Sequence, residues 1–195
     1  MANTLEYYNR NAKQYVHDTV GCGMEEAIEQ FLAELGKTQG TILDFGCGSG
    51  RDSKVFLSKG YDTVSADGSE EICRHAEIFL SKPVVHMLFT ELQDEDKYDG
   101  IWACASLLHL PYMDLVSVMK KIAKALKSDG VLYVSFRYGD MEGLRGERYF
   151  TDMTETKLDD VIAKSGLKVV KTWVSEDKRI ERLGDTWLNA ILRKC

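Results

Sequence analysis

The run T-I-L-D-F-G-C-G-S-G-R-D, residues 41–52, decides how the rest of the chain is read. Five β-rich residues, TILDF (41–45), end on Gly46, Gly48 and Gly50, and a helical stretch follows over 51–58 before Gly60. The same rhythm repeats outward from there. Short apolar runs recur at 61–67, 84–88, 98–105 and 131–136, and they alternate with helical stretches at 69–80 and 114–127. Ser69 and Asp114 stand where N-caps belong, and Gly130 where the last of these helices should close. Strand, helix, strand repeated through four crossovers predicts an α/β fold. Its sheet is parallel, doubly wound and covered by helices on both faces. The strands read as continuous apolar runs, as strands buried on both sides do.

Upstream, Leu5, Tyr8, Ala12 and Tyr15 repeat at steps of three and four, one face of a helix. Met24, Ala27, Ile28, Phe31, Leu32 and Leu35 make a second stripe that stops at Gly36. Downstream, a Gly- and Arg-rich loop (138–150) leads to a helix capped by Thr154. Two runs then follow without a helix between them, 168–174 and 187–193. They pair most simply as an antiparallel hairpin with a long connection. The expectation is a single domain over 1–195, with residues 1–36 a helical cover and 41–195 the sheet core.

A chain of 195 residues suffices for one core. Hydrophobic residues are 44% and charged residues 29%, which excludes a disordered or fibrous chain. The formal net charge of −6 disfavours a dedicated nucleic-acid binder, which neutralises phosphates with clustered Lys and Arg. The cysteines, five in number, contain no C-x-x-C and predict free thiols in a reducing compartment. No apolar run suits a signal peptide or a membrane span, so the expectation is a soluble cytoplasmic domain, monomer or homodimer. No histidine has a ligand-spaced partner, and no metal site is expected.

Ligands of open α/β sheets bind at the carboxyl ends of the strands, where 43–52 delivers its glycines. Gly46, Gly48 and Gly50 let the backbone come close to a ligand, and Asp44 sets a carboxylate beside it, suited to an ammonium. Arg51 stands where a dinucleotide fingerprint needs its third glycine, and the lysine of a phosphate-binding loop is absent. The second strand ends in Asp67, whose carboxylate can accept from a ribose diol.

These residues resemble the class I S-adenosylmethionine-dependent methyltransferases, and the resemblance covers nearly the whole chain. ILDFGCGSGRDS is similar to their first motif, which receives the methionine part of the cofactor. Asp67, Gly68 and Ser69 resemble the second motif, on the ribose. Phe89-Thr90-Glu91-Leu92 matches the stretch bordering the adenine, with Glu91 where many relatives carry Asp. YDGIWACASLLHL resembles the fourth motif, in which Ala103, Cys104 and Ser106 close around the methionine. The terminal hairpin resembles the family's, which implies a Rossmann-like seven-stranded sheet of order 3-2-1-4-5-7-6 with strand 7 antiparallel. GSGRDS and the short N-terminal helix are similar to tellurite-resistance-type and other small-molecule methyltransferases. The resemblance implies S-adenosylmethionine bound by these residues with Cys47, Arg51 and Tyr15, and transfer of its methyl group.

The acceptor is less constrained. Ala-Ser-Leu-Leu-His replaces the Asn/Asp-Pro-Pro-Tyr/Phe by which amide and base methylases grip a planar amino group, and this favours a small-molecule acceptor. His109 is the candidate base, or else a packing residue that donates one hydrogen bond. Tyr8, Arg137, Tyr138 and Arg148 are candidate acceptor contacts, with a cationic pocket for an acidic acceptor set against a solvated loop. Trp173 and Trp187 read as packing across the last hairpin. A nicotinamide oxidoreductase, a non-catalytic S-adenosylmethionine sensor and a macromolecular methyltransferase remain the alternatives.

Overall fold

A computed structural model describes residues 2–177 and 184–195. Two helices, α1 (Ala2–Thr19) and α2 (Glu25–Leu35), precede the first strand β1 (Thr41–Phe45). Then come α3 (Arg51–Ser58), β2 (Asp62–Asp67), α4 (Glu70–Leu80), β3 (Val85–His86), β4 (Tyr98–Ala103), α5 (Tyr112–Ala125) and β5 (Leu126–Arg137). A hairpin of β6 (Glu142–Arg145) and β7 (Arg148–Thr151), helix α6 (Glu155–Ile162) and strands β8 (Leu167–Glu176) and β9 (Thr186–Lys194) complete the chain. The sheet has seven strands in the order β3-β2-β1-β4-β5-β9-β8. Strand β9 is antiparallel to both its neighbours, and the other pairings are parallel. With β6 and β7 outside the sheet, this is the 3-2-1-4-5-7-6 arrangement implied by the resemblance.

Consecutive residues of the central strands enter different cores, as the two-residue period of a strand dictates. Ile42, Trp102, Tyr133 and Ile191 pack with Phe31 of α2 and Phe56 of α3. Leu43, Ile101, Leu132 and Leu192 pack with residues of α5 and α6. Burial on both faces is why the strands read as unbroken apolar runs. The caps follow side-chain chemistry. Ser69 Oγ accepts from the Ile72 N–H at 3.2 Å, Thr154 Oγ1 accepts from Lys157 at 3.4 Å, and Gly36 turns left-handed (φ +63°) to close α2 on Leu32. Among the described residues no helix is long and apolar enough to cross a membrane.

Several expected boundaries move. Helix α5 starts at Tyr112, because the Pro111 carbonyl accepts from Asp114 and Leu115; Asp114 is a first-turn acid and not the cap. The helix ends on Leu126, and Gly130 lies inside β5, where the pairing slips between Tyr98–Leu126 and Gly100–Val131. The fourth strand stops at Ala103, and Ala105 turns left-handed (φ +49°) with its N–H on Ser135 Oγ. The third strand keeps only two residues. The Gly- and Arg-rich segment is not an open loop: Gly146 (φ +62°) turns it into the β6–β7 hairpin, which seats Phe150 in the core. The connection over 178–183 lies outside the described residues.

Candidate active site at the carboxyl rim of the sheet

Strand β1 enters the site through hydrogen bonds that demand glycine. The N–H groups of Gly46 and Cys47 both donate to the Ala66 carbonyl at the end of β2 (2.8 and 2.9 Å). Gly46, Gly48 and Gly50 all have positive φ, +89°, +55° and +79°. A Cβ on Gly46 would stand 2.4 Å from Cβ of Ser106, whose hydroxyl is tied to the Phe45 carbonyl at 2.7 Å. Below this loop Asp44 turns inward. It accepts from Ser53 Oγ (2.6 Å), which also bonds Ser65 Oγ (2.7 Å), and it lines neither of the two cavities above the loop. Burial and the neighbouring Asp52 push its carboxyl up to about 7.

Arg51 is held by two parallel bonds to Asp52, Nε to Oδ1 at 2.6 Å and Nη2 to Oδ2 at 2.8 Å. Asp52 is itself fixed by the buried Trp102 indole at 2.9 Å. This fork aims the guanidinium at the cleft, where Nη1 reaches the Thr19 carbonyl at 3.5 Å. Asp67 closes the second strand. Its two oxygens accept from Gly48 and Ser69 N–H (3.0 and 2.9 Å), and burial raises its pKa against the lowering by those bonds.

Two cavities meet over this rim and share the walls Tyr15, Gly46 and Ala105. The smaller is bounded by Asp67, Gly68, Ser106 and His109, by an apolar shelf of Ile72, Met87, Leu88 and Phe89, and by Thr4, Leu5 and Tyr8 of α1. The larger, about 180 Å³, runs from Cys47, Gly48 and Arg51 past Cys104 to the ends of β8 and β9. The α1–α2 connection roofs it, from Thr19 to Ala27.

The expected site residues thus divide. Tyr8, Tyr15, Gly46, Cys47, Gly48, Arg51, Asp67, Gly68, Cys104, Ser106 and His109 all face a cavity. Gly50 and Ser69 act behind it as starts of α3 and α4, Ser69 also holding Asn9 Oδ1 at 2.6 Å. Ala103 is buried in β4. Thr90, Glu91 and Leu92 face neither cavity, because the chain after β3 coils into a short turn. Glu91 folds back onto the Leu88 N–H (2.8 Å), Leu92 enters the core, and Leu88 and Phe89 take the wall instead.

The arginine-rich pocket does not form. Arg137 pairs with Asp185, Arg145 is doubly bonded to Asp152, and Tyr138 turns outward to Glu155. Arg148 lies over the rings of Tyr7 and Phe150 and touches the Tyr8 hydroxyl (3.3 Å). The sequence reading missed the far wall of the larger cavity, made by Trp173, Ser175, Trp187 and Asn189. The sequence carried only part of the signal: the two-residue period puts 173 and 175 on one strand face, but their pairing with 189 and 187 is a register that only the structure shows. Trp187 is no mere packing group, for its indole donates to buried Asp177 at 3.1 Å. Burial pushes the thiol of Cys47 up and that of Cys104 up to about 12, so both stay protonated and neither is a nucleophile. Among the described residues no three His, Cys, Asp or Glu side chains gather to hold a metal.

A family model for a methyltransferase domain matches residues 15–172. A ubiquinone biosynthesis O-methyltransferase of Psychrobacter arcticus is 28% identical over 120 residues, covering 61% of this chain and 44% of that protein. An N-terminal Xaa-Pro-Lys N-methyltransferase 1 of Danio rerio is 32% identical over 122 residues, 57% of this chain and 55% of its own. The chain thus spans about half the length of these curated relatives. Among solved structures, a Burkholderia thailandensis 1,6-didemethyltoxoflavin-N1-methyltransferase with S-adenosylhomocysteine bound superposes with a TM-score of 0.77. It is 22% identical, over 96% of this chain and 84% of that one, a likeness of fold. With the family model matching most of its length and the seven-stranded order in place, the chain belongs to the methyltransferase domain family.

Proposed function

We propose that the chain transfers a methyl group from S-adenosylmethionine to a small-molecule acceptor, leaving S-adenosylhomocysteine. The residues fit this cofactor. Gly46 and Gly48 line the cavities with bare backbone, which lets a ligand come close to the main chain. Each Asp67 oxygen accepts one backbone N–H and keeps a lone pair for a ribose hydroxyl. The shelf of Ile72, Met87, Leu88 and Phe89 suits a purine, and the Arg51 guanidinium at the neck of the larger cavity suits the methionine carboxylate. When bound, the cofactor supplies a methyl group on a sulfonium, an electrophile that needs no further activation. The protein's task is to hold, align and dry the two partners, which rigid strand ends under a helical roof do.

The single observation behind a small acceptor is the shape of the larger cavity. Beyond the glycine loop it is walled by Met24 and Ala27 on one side and by Trp173 and Trp187 on the other. Polar side chains, among them Glu26, Ser135, Ser175, Asp177 and Asn189, stand between these apolar walls, and a cleft that combines the two is the usual site for a small organic molecule. The net charge of −6 and the pairing of Arg137 and Arg145 argue against a strongly acidic acceptor.

The test is incubation of the purified protein with S-adenosylmethionine and separate pools of phenols, amines, thiols, heteroaromatics and short peptides. Release of S-adenosylhomocysteine is the readout. Turnover with a small-molecule pool is expected. Turnover with peptides alone would move the acceptor to a polypeptide, as the name of the Danio relative says of that protein. A protein to which neither S-adenosylmethionine nor its product binds in calorimetry would end the proposal.

A further inference from the structure

The hydroxyl of Tyr8 lies 2.9 Å from Nε2 of His109, and Nδ1 of the same ring lies 2.7 Å from the Tyr149 carbonyl oxygen. A carbonyl oxygen only accepts, so Nδ1 carries a proton. A second proton, on Nε2, would place a cation between the rings of Tyr8 and Phe150 and opposite the Arg148 guanidinium. Burial chiefly, and Arg148 in addition, hold the imidazole down to about 4, which leaves it neutral at physiological pH. Nε2 therefore accepts, and the Tyr8 hydroxyl donates to it.

The Tyr8 oxygen also accepts from Nη1 of Arg148 at 3.3 Å. With its proton on His109 and one lone pair on Arg148, it retains one lone pair on a ring that lines the Asp67 cavity. The groups around this chain come from three elements: Tyr8 with the rings of Tyr7 and Tyr15 against it on α1, Arg148 and the Tyr149 carbonyl on β7, and Asp67 on β2 through its field on Tyr8.

We propose that His109 is a positioning residue: as the neutral Nδ1–H tautomer it draws the Tyr8 proton away from the cavity, so that Tyr8 meets the bound nucleoside as a hydrogen-bond acceptor. His109 then takes no proton from the methyl acceptor. The inference rests on the cofactor placement proposed above, and its test separates the two.

In cofactor-free protein labelled with ¹⁵N-histidine, the four imidazoles are resolved by NMR and His109 is assigned with His109→Gln. The expected result is a protonated Nδ1 and a bare Nε2 from pH 5.5 to 8. An imidazolium at pH 7, or a proton on Nε2 alone, overturns the proposal whatever the protein binds. Calorimetry with S-adenosylhomocysteine supplies the second arm. Tyr8→Phe and His109→Leu should each weaken binding about 2- to 10-fold, the range of one hydrogen bond. The double variant should bind no more weakly than the worse single one, since both remove the same chain. His109→Gln, whose amide oxygen can still accept from Tyr8, should restore affinity to within about 2-fold. Full affinity in Tyr8→Phe, or losses that multiply in the double variant, refutes the coupling. Wild-type protein that does not bind S-adenosylhomocysteine refutes the cofactor reading instead, and leaves the tautomer to the NMR.

Discussion

Gly46 and Gly60 share a backbone angle, φ +89°, and differ in everything around it. An added Cβ at Gly60 meets nothing within 4 Å, whereas at Gly46 it meets Ser106 at 2.4 Å. Gly60→Ala should therefore cost only the left-handed backbone, about 1–2 kcal/mol. Gly46→Ala adds overpacking against a hydrogen-bonded serine, about 1–3 kcal/mol more. Denaturant melts of the two variants read the difference directly, and equal losses would mean that Ser106 yields freely. Asp44 gives a second residue-scale prediction, in pH. Its folded pKa of about 7 lies above the ordinary value, about 3.9, so between these limits the folded state holds a proton that the unfolded state has lost. Stability from this group falls as pH rises through that window. Asp44→Asn removes the ionisation and keeps an acceptor for Ser53, so its melting temperature should exceed the parent's at pH 8, with the gap closing toward pH 5. A constant gap would show that Asp44 does not titrate there.

At the scale of elements, Asp99 joins three of them at the rim opposite the site. Starting β4, it accepts from the Thr41 N–H of β1 at 2.9 Å, from Lys37 ahead of β1 at 2.6 Å and from Lys127 of β5 at 2.7 Å. These bonds outweigh burial and hold its carboxyl well below the usual range, the opposite sign to Asp44. Its stabilisation is present above about pH 4 and is lost as pH falls further. Asp99→Ala should cost about 2–3 kcal/mol at pH 7, the loss of charge-assisted hydrogen bonds to a buried group. Cofactor affinity should hold, because Asp99 lies at the far end of the strands; a matching fall in affinity would mean that the rims are coupled. Elements also mark where sequence stops being legible. The order of the sheet could be read because each strand is a local apolar run and each crossover is forced by handedness. The glycine loop and Asp67 could be read because their job is done by local backbone. The far cavity wall was hidden, because Trp173 and Trp187 reach it through strand register, a non-local property. The 142–151 hairpin was hidden too, because Gly and Arg conceal its alternation and only its last two residues, Phe150 and Thr151, are buried.

For the whole molecule the open question is how a ligand enters a site roofed by its own N-terminal helix. Helix α1 supplies walls to both cavities, Tyr8 to one and Tyr15 to both, yet few of its side chains are buried, chiefly Thr4 and Ala12. It is held instead by polar ties: the Tyr149 N–H on Thr4 (2.9 Å), Tyr8 on His109 (2.9 Å) and Arg148, Ser69 on Asn9, and an exposed Arg10–Glu147 pair. Exposed ion pairs contribute little, about 0–1 kcal/mol. A helix fastened this way should open locally at far smaller cost than the sheet beneath it. A ligand bridging roof and rim must oppose that opening, by about 2.7 kcal/mol when its free concentration is 100 times the dissociation constant. Saturating S-adenosylhomocysteine should therefore slow amide exchange along residues 4–19 by up to about 100-fold. Helix α6, which lines neither cavity, should change only where its amides exchange by global unfolding. Hydrogen-exchange mass spectrometry on the saturated protein makes the comparison. Unchanged exchange in α1 at proven saturation would mean that the ligand binds without touching the roof, and that entry follows another path.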